Sequence, residues 1–246
     1  MKNVLDSHTF AFYVDSLNIF SDTCIVADGA LVQRMHTVLR LNVGQRCVFF
    51  NKIEHAQVKI IKIDKKKVEA KIIKAQKNNI FQPYIVVGLP LLKKAALEDA
   101  VYSAVEMGVS EIRLITSEKS RKKLVINEWQ RLNRIVIAAA EQSKNYAIPV
   151  LQESLEPLEL FVEKCRKDEH VKLFFDSKGC FVQTIKKSAL QSPKMVLLIG
   201  PEGDFLHKEK SCLRKENWLF VSLTATILRS FQAVGLAIGI VRSLLR

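Results

Sequence analysis

The sequence predicts an α/β domain built on a mostly parallel sheet, preceded by a small β-rich domain. Three observations carry that expectation. From residue 84 onward, short apolar runs alternate with helical patterns, which is how a parallel sheet with covering helices reads. Up to residue 75, runs rich in Val, Ile and Phe are separated by turn or charged residues, as in short paired strands. Between the two, "QKNNIFQP" has no core pattern and reads as a linker. The expected division is therefore 1–75, a linker at 76–83, and 84–246. With 246 residues, 48% of them hydrophobic, the chain can bury a core in each part.

In the first part, "QRCVFFN", "HAQVKIIKI" and "KKVEAKIIKA" are expected strands, and Gly44 turns the chain into the first of them. "DGALVQRMHTVLRLNVGQ" interrupts them with a helical spacing, Leu31, Met35, Val38 and Leu39 falling at i, i+4, i+7 and i+8. A small barrel with one helix is the architecture this pattern suggests, and 1–75 is expected to be an RNA-binding domain, although such barrels also serve only to position a neighbour. In the second part, "YIVVGLP" is a strand and "KKAALEDAVYSAVEMG" a helix with Leu97, Val101 and Val105 on one face, closed by Gly108. "EIRLIT" is a strand and "EWQRLNRIVIAAAEQS" a helix; "VKLFFD", "MVLLIG" and "WLFVSL" are strands. "ILRSFQAVGLAIGIVRSLLR" leads into a last helix. Its apolar stretch is too short for the roughly 20 residues a membrane span needs, so it is expected to be buried.

Charge narrows the partners. Lys and Arg number 38 against 25 Asp and Glu, a net +13, and such a surplus concentrates polyanions such as nucleic acid. The five cysteines, Cys24, Cys47, Cys165, Cys180 and Cys212, are scattered and contain no C-x-x-C, which argues against a disulfide framework and a zinc site. The five histidines show no ligand spacing, so no metal is expected. A reducing, cytoplasmic setting follows, and the N-terminal "MKNVLDSHTFAF" lacks the features of a signal peptide.

Ligands of parallel sheets bind in loops beyond the carboxyl ends of strands. Gly200-Pro201-Glu202-Gly203 stands at such an end, after the run Val196 to Ile199. It is no phosphate cradle, because Pro201 removes an amide donor and Glu202 and Asp204 repel anions, so a neutral or cationic ligand suits it. An ordinary type I turn with Pro at its second position fits the same residues. Two further strand ends, near Asp176 and at Leu223, are expected to converge with it. Leu223 is followed by the small, hydroxylated Thr224-Ala225-Thr226, and Ile227-Leu228-Arg229 adds a cation. Neither G-x-G-x-x-G nor a P-loop occurs.

Gly200-Pro201-Glu202-Gly203, followed by Leu223 and Ile227-Leu228-Arg229, resembles the signature of the SPOUT methyltransferases. More narrowly it resembles the RsmE family, bacterial enzymes that methylate N3 of a uridine in small-subunit ribosomal RNA. "HTVLRLNVGQ" resembles that family's PUA-like barrel. Lys93, Glu98, Glu106, Gly108 and Val109 resemble its first long helix, and "AAAEQS" with Pro149 its helix and loop before the knot. The resemblance implies a SPOUT-type α/β domain with a C-terminal trefoil knot after a small PUA-like β-barrel. It also implies S-adenosylmethionine as cofactor, a homodimer, and small-subunit (16S) ribosomal RNA or the 30S particle as substrate, with no membrane and no metal.

Onto this chain it carries donor-binding roles for Phe175, Ile199, Gly200, Pro201, Gly203, Leu223, Thr224, Thr226 and Leu228. Arg229 is the expected stabiliser of charge developing on the uridine, or else a helix-start arginine paired with an acid. Glu202, its catalytic companion, is expected to order the loop or the substrate, or else to be purely structural. Arg40, Lys119, Arg121, Lys122, Lys123, Arg131 and Arg134 are the expected RNA contacts. The chain departs from the family's pattern at Lys144-Asn145 (usually Gly-Arg), at Thr224-Ala225 (usually Gly-Pro), and at Ser230-Phe231-Gln232 (usually Thr-Glu-Thr). The glycine pair after Pro-Glu reads Gly203-Asp204. Another RNA or another atom as the target, and an RNA-binding protein that keeps the fold without catalysis, stay open at this point.

Overall fold

The computed structural model describes residues 9–17, 22–166, 170–185 and 190–245. The N-terminal residues 1–8, on which part of the signal-peptide expectation falls, lie outside them. Two compact units emerge: one takes the chain up to Asn79 together with Ala140–Ile148, the other Ile80–Ala139 and Pro149–Arg246.

The first unit is a five-stranded half-barrel of β1 (Ala11–Tyr13), β2 (Thr23–Val26), β3 (Arg46–Phe50), β4 (Glu54–Ile63) and β5 (Val68–Lys77), ordered β1-β3-β4-β5-β2. β1 runs parallel to β3 and the other pairs are antiparallel. Alternation along β4 sends Ala56, Val58 and Ile60 into a core with Phe12, Phe49, Val68 and Ala70, leaving their sequence neighbours on the solvent side. α1 (Gly29–Gln33) starts where Asp28 Oδ1 accepts from Leu31 N at 2.7 Å, and continues as a π-helical turn, Arg34–Val38. Val32 and Met35 are fully buried, but Val38 is 68% exposed. The wider π turn rotates it off the apolar face that helical spacing assigned to it. The 140–148 segment is anchored by Glu141, which accepts from Tyr13 N at 2.9 Å and pairs with Arg34 at 2.6 Å.

The second unit is a six-stranded, all-parallel sheet. Its strands are β6 (Tyr84–Pro90), β7 (Glu111–Thr116), β8 (Val150–Pro157), β9 (Val171–Phe181), β10 (Lys194–Ile199) and β11 (Leu219–Ser222), ordered β11-β9-β10-β6-β7-β8. The helices are α2 (Lys94–Glu106), α3 (Ile126–Ser143), α4 (Leu158–Lys164), α5 (His207–Lys215) and α6 (Ser230–Leu244). Val196 and Leu198 of β10 face a core with Phe161 of α4 and Leu213 of α5, while α2 and α6 pack together.

Several elements differ from the sequence expectation. β1, β2, β8, α4 and α5 were not anticipated; β8 is an edge strand with mixed polarity, α4 has seven residues, and "HKEKSCLRK" of α5 is almost wholly polar. The expected linker at 76–83 gives its first two residues to β5. Asp176 does not end its strand, because β9 bulges out there and resumes pairing with β11 at Cys180 and Phe181. Gly179 makes that possible: a Cβ would lie 2.4 Å from Val221 N, so only glycine lets the two backbones meet.

Candidate functional site

The bulge of β9 at Phe175-Asp176-Ser177 and the carboxyl ends of β10 and β11 open onto one cavity of about 900 Å³. Strand order explains the opening, since the chain leaves β6 toward β7 on one side and β10 toward β11 on the other, opening a crevice between β6 and β10 at their carboxyl ends. All nine residues expected to hold the donor line it: Phe175, Ile199, Gly200, Pro201, Gly203, Leu223, Thr224, Thr226 and Leu228. Glu202 and Arg229 line it as well.

The glycine-rich loop is a turn, one residue out of the register expected. Asp204 N donates to Pro201 O at 2.9 Å, so Pro201 opens the turn rather than occupying its second position. Neither Gly200 nor Gly203 has a left-handed backbone. A Cβ at Gly200 would meet nothing closer than Asp204 Oδ1 at 3.7 Å, so the fold does not require this glycine. Its bare backbone instead faces the cavity. Left-handed geometry falls on Asp204, at φ 60, a conformation that costs about 1–2 kcal/mol outside glycine. Its carboxylate offsets that cost locally, accepting from Phe205 N at 2.7 Å and from Lys210 Nζ at 2.6 Å.

Lys210, which sequence reasoning missed, joins two carboxylates. It reaches Asp176 Oδ2 at 2.8 Å as well as Asp204, tying α5 to the β9 bulge and the glycine loop. Burial pushes the Asp176 carboxyl up, but the Lys210 ammonium and the Lys178 amide outweigh it and hold the group below its usual value. Burial likewise opposes the Lys210 charge, and its two carboxylates overcome that and raise it. No spacing rule links residues 176, 204 and 210, and only the fold brings them together.

The remaining walls are tied to each other. Ser230 Oγ donates to Gly200 O at 2.9 Å, so the position that departs from the family's usual threonine keeps the hydroxyl the loop uses. Ser222 Oγ donates to Thr224 O and Thr224 Oγ1 to Thr226 O, closing the second loop on itself. Glu202 Oε1 accepts from Lys93 N at 3.5 Å at the start of α2, whose Ala95, Ala96 and Asp99 complete the cavity. Arg229 stands just before α6, exposed and with no ion pair among the described residues.

The expected RNA contacts do not form one free face. Lys119 Nζ donates to Gly203 O at 2.8 Å, which makes it a brace of the glycine loop. Arg121 grips both oxygens of Glu128 at 2.9 Å, Lys122 bonds Ser117 O, and Arg131 pairs with Glu98 at 3.1 Å. Arg134 bonds Gln130 O, at 3.4 Å, and Lys123 is exposed. Arg40 lies in the first unit, exposed at φ 52 beside a shallow depression with His36, Asn42 and Val43. Among the described residues there is no cluster of metal-ligating side chains and no helix long and apolar enough to cross a membrane.

Known proteins share both units. Residues 79–242 match the RNA methyltransferase domain family, and residues 36–73 match the RNA methyltransferase PUA domain. Ribosomal RNA small subunit methyltransferase E of Rickettsia conorii is 25% identical over 237 residues, covering 94% of each chain. Ribosomal RNA small subunit methyltransferase E 2 of Borreliella burgdorferi is 25% identical, covering 90% of this chain and 91% of its own. The crystal structure of a ribosomal RNA small subunit methyltransferase E from Neisseria gonorrhoeae, bound to S-adenosylmethionine, superposes with a TM-score of 0.85. It covers 96% of this chain and 98% of its own at 22% identity, a likeness of fold.

Proposed function

The chain belongs to the RNA methyltransferase family, and from that premise we propose that it transfers the methyl group of S-adenosylmethionine to N3 of a uridine in small-subunit (16S) ribosomal RNA. The observation that carries this reading is the meeting of the β9 bulge with the ends of β10 and β11 on a single cavity lined by every residue the sequence assigned to donor and catalysis. The cavity suits the donor. Its volume lies within the range of about 300–1,000 Å³ usual for small-molecule sites. Ile199, Leu223 and Leu228 offer apolar walls, the backbone at Gly200 is open, and Asp99 and Glu202 supply negative charge for a cation.

When bound, S-adenosylmethionine supplies an electrophilic methyl group. The protein's part is to hold the uridine in line with it and to stabilise the charge that N3 develops as its proton leaves. Arg229 stabilises that charge, since it lines the cavity, is exposed, and has no carboxylate among the described residues to neutralise it. Glu202 orders the loop through Lys93 and faces the same space. The trefoil threading implied by the resemblance is part of the proposal, supported by the bond from the start of α6 back to Gly200.

The working form is a homodimer. Ile227, 87% exposed at the cavity rim, and Leu236 on α6 offer apolar surface for a second copy, and a light-scattering mass near the 27.9 kDa of one chain contradicts this. The substrate is small-subunit RNA, free or in the 30S particle. The cytoplasm suits the free cysteines, of which burial pushes Cys24 and Cys165 up to about 11 and Cys47 to about 12. Mass spectrometry of small-subunit RNA from cells with and without the protein tests the reading. A 3-methyluridine that disappears with the protein is expected; an unchanged modification profile overturns it.

A further inference from the structure

We propose that the solvent face of the half-barrel sheet is a docking surface for the phosphate backbone of RNA, built on a cationic row running across three strands. Arg46 of β3 stands directly opposite Lys59 of β4, and Lys59 directly opposite Lys71 of β5. Directly opposed side chains in antiparallel pairs project from the same face, with Cβ atoms about 4.5–5.5 Å apart. All three are exposed, while Val58, Ile60 and Ala70 beside them fill the core, so the row lies on the outer face. Lys62 and Lys74 extend it along β4 and β5.

The row has a cost, eased at Lys62 by the nearby Asp64 and Glu69 carboxylates. Like charges directly opposite one another destabilise a sheet. Among the described residues, none of the five forms an ion pair with a carboxylate. The acid paired opposite Lys62, Glu69, is already bonded to Lys67 at 2.6 Å. Arg113 with Glu111, Arg121 with Glu128, Arg131 with Glu98 and Arg166 with Glu216 show the alternative, a cation held by a carboxylate of the protein. A rigid ladder of unmatched cations at strand spacing suits a ligand that is itself a row of anions. An RNA backbone releases condensed counterions when it is neutralised in this way. The inference rests on the proposed function for RNA as the polyanion, but not for the methyl donor or the modified atom. It adds Arg46, Lys59, Lys62, Lys71 and Lys74 to the expected RNA contacts.

The test compares the full chain with Arg46→Gln/Lys59→Gln/Lys71→Gln in binding a small-subunit RNA transcript, titrated from 50 to 200 mM salt. The triple variant is expected to bind at least about tenfold more weakly and to lose about 2–3 units from the slope of log affinity against log salt. Its melting temperature should be unchanged or higher, because repulsion has been removed, and its S-adenosylmethionine affinity should be unchanged. Lys59→Arg/Lys71→Arg should bind RNA as the natural sequence does. An unaltered slope and affinity in the triple variant overturns the proposal, whether or not the protein methylates. Charge-dependent sedimentation with phosphatidylglycerol vesicles, with RNA binding unaltered, overturns it in favour of a lipid surface.

Discussion

The cavity of the second unit and the sheet face of the first treat charge in opposite ways. Around the cavity, charge is matched inside the protein: Lys210 serves both Asp176 and Asp204, and Lys119 is committed to a carbonyl of the glycine loop. On the sheet face, Arg46, Lys59 and Lys71 stand in register with nothing to match them among the described residues. A matched wall recognises its ligand by shape and backbone contact and responds little to salt. An unmatched row recognises by charge and responds steeply. Arg229, Asp99 and Glu202 are exceptions, lining the cavity without an ion pair among the described residues, and Arg229 stands where the proposed reaction generates negative charge.

The most damaging change to the cavity should be one of shape. Gly200→Val places branched carbon where the backbone faces the ligand, yet the protein itself leaves room for a Cβ. Donor affinity measured by calorimetry should fall by about a hundredfold, within the cost of overpacking. Melting temperature and RNA affinity should hold. Normal donor binding in this variant removes the cavity from the account.

Arg229→Ala should reach a similar size in a different quantity. Single-turnover methylation at saturating donor should slow by about a hundredfold, the usual loss for one preorganised electrostatic contact, while donor affinity stays within about twofold. A variant that binds donor poorly but transfers normally when saturated makes Arg229 part of the donor wall instead.

Lys210→Met compares the regions through stability. It strands the nearly buried Asp176 carboxylate and leaves Asp204 without its partner in a left-handed turn. We expect a loss of about 2 kcal/mol, less than for a fully buried pair because Lys210 is partly exposed, and a melting temperature about 4–8 °C lower. Lys59→Gln on the sheet should cost nothing. Equal effects at the two sites erase the contrast.

The smallest effect is in pH. The Asp176 pKa is depressed, so its contribution is fully present above the ordinary value of 3.8 and is lost as pH falls through the lower folded value. The Lys210 pKa is raised, so its contribution is full below 10.5 and is lost as pH rises through the higher folded value. The melting-temperature gap between the natural protein and Lys210→Met should therefore be level from about pH 5 to 9 and shrink on acidification below that.

Much of this was legible in the sequence because it is written in local patterns. Apolar runs ending in Gly200 and Leu223 announce buried parallel strands with ligand loops, and the separated motifs placed eleven residues around a cavity that spacing alone does not reveal. What escaped is non-local or weakly apolar. The Lys210 clamp joins residues up to 34 apart, and α5 hides in a polar stretch with only Leu213 and Glu209 buried. The cationic row is visible only once register sets residues 46, 59 and 71 side by side. The run Lys119 to Lys123 holds a local occupancy that its spacing does not reveal. Adjacent cations in sequence look like a free patch, yet three of them are occupied within the protein.

Salt dependence tests the division of labour between the two regions most directly. Affinities for S-adenosylmethionine and for a small-subunit RNA transcript are measured on the same protein between 50 and 200 mM salt. The account predicts a log–log slope for RNA of at least about −4, from the phosphates the cationic row and its neighbours neutralise, and a slope near zero for the donor. A flat response for RNA, or equal slopes for both ligands, contradicts it.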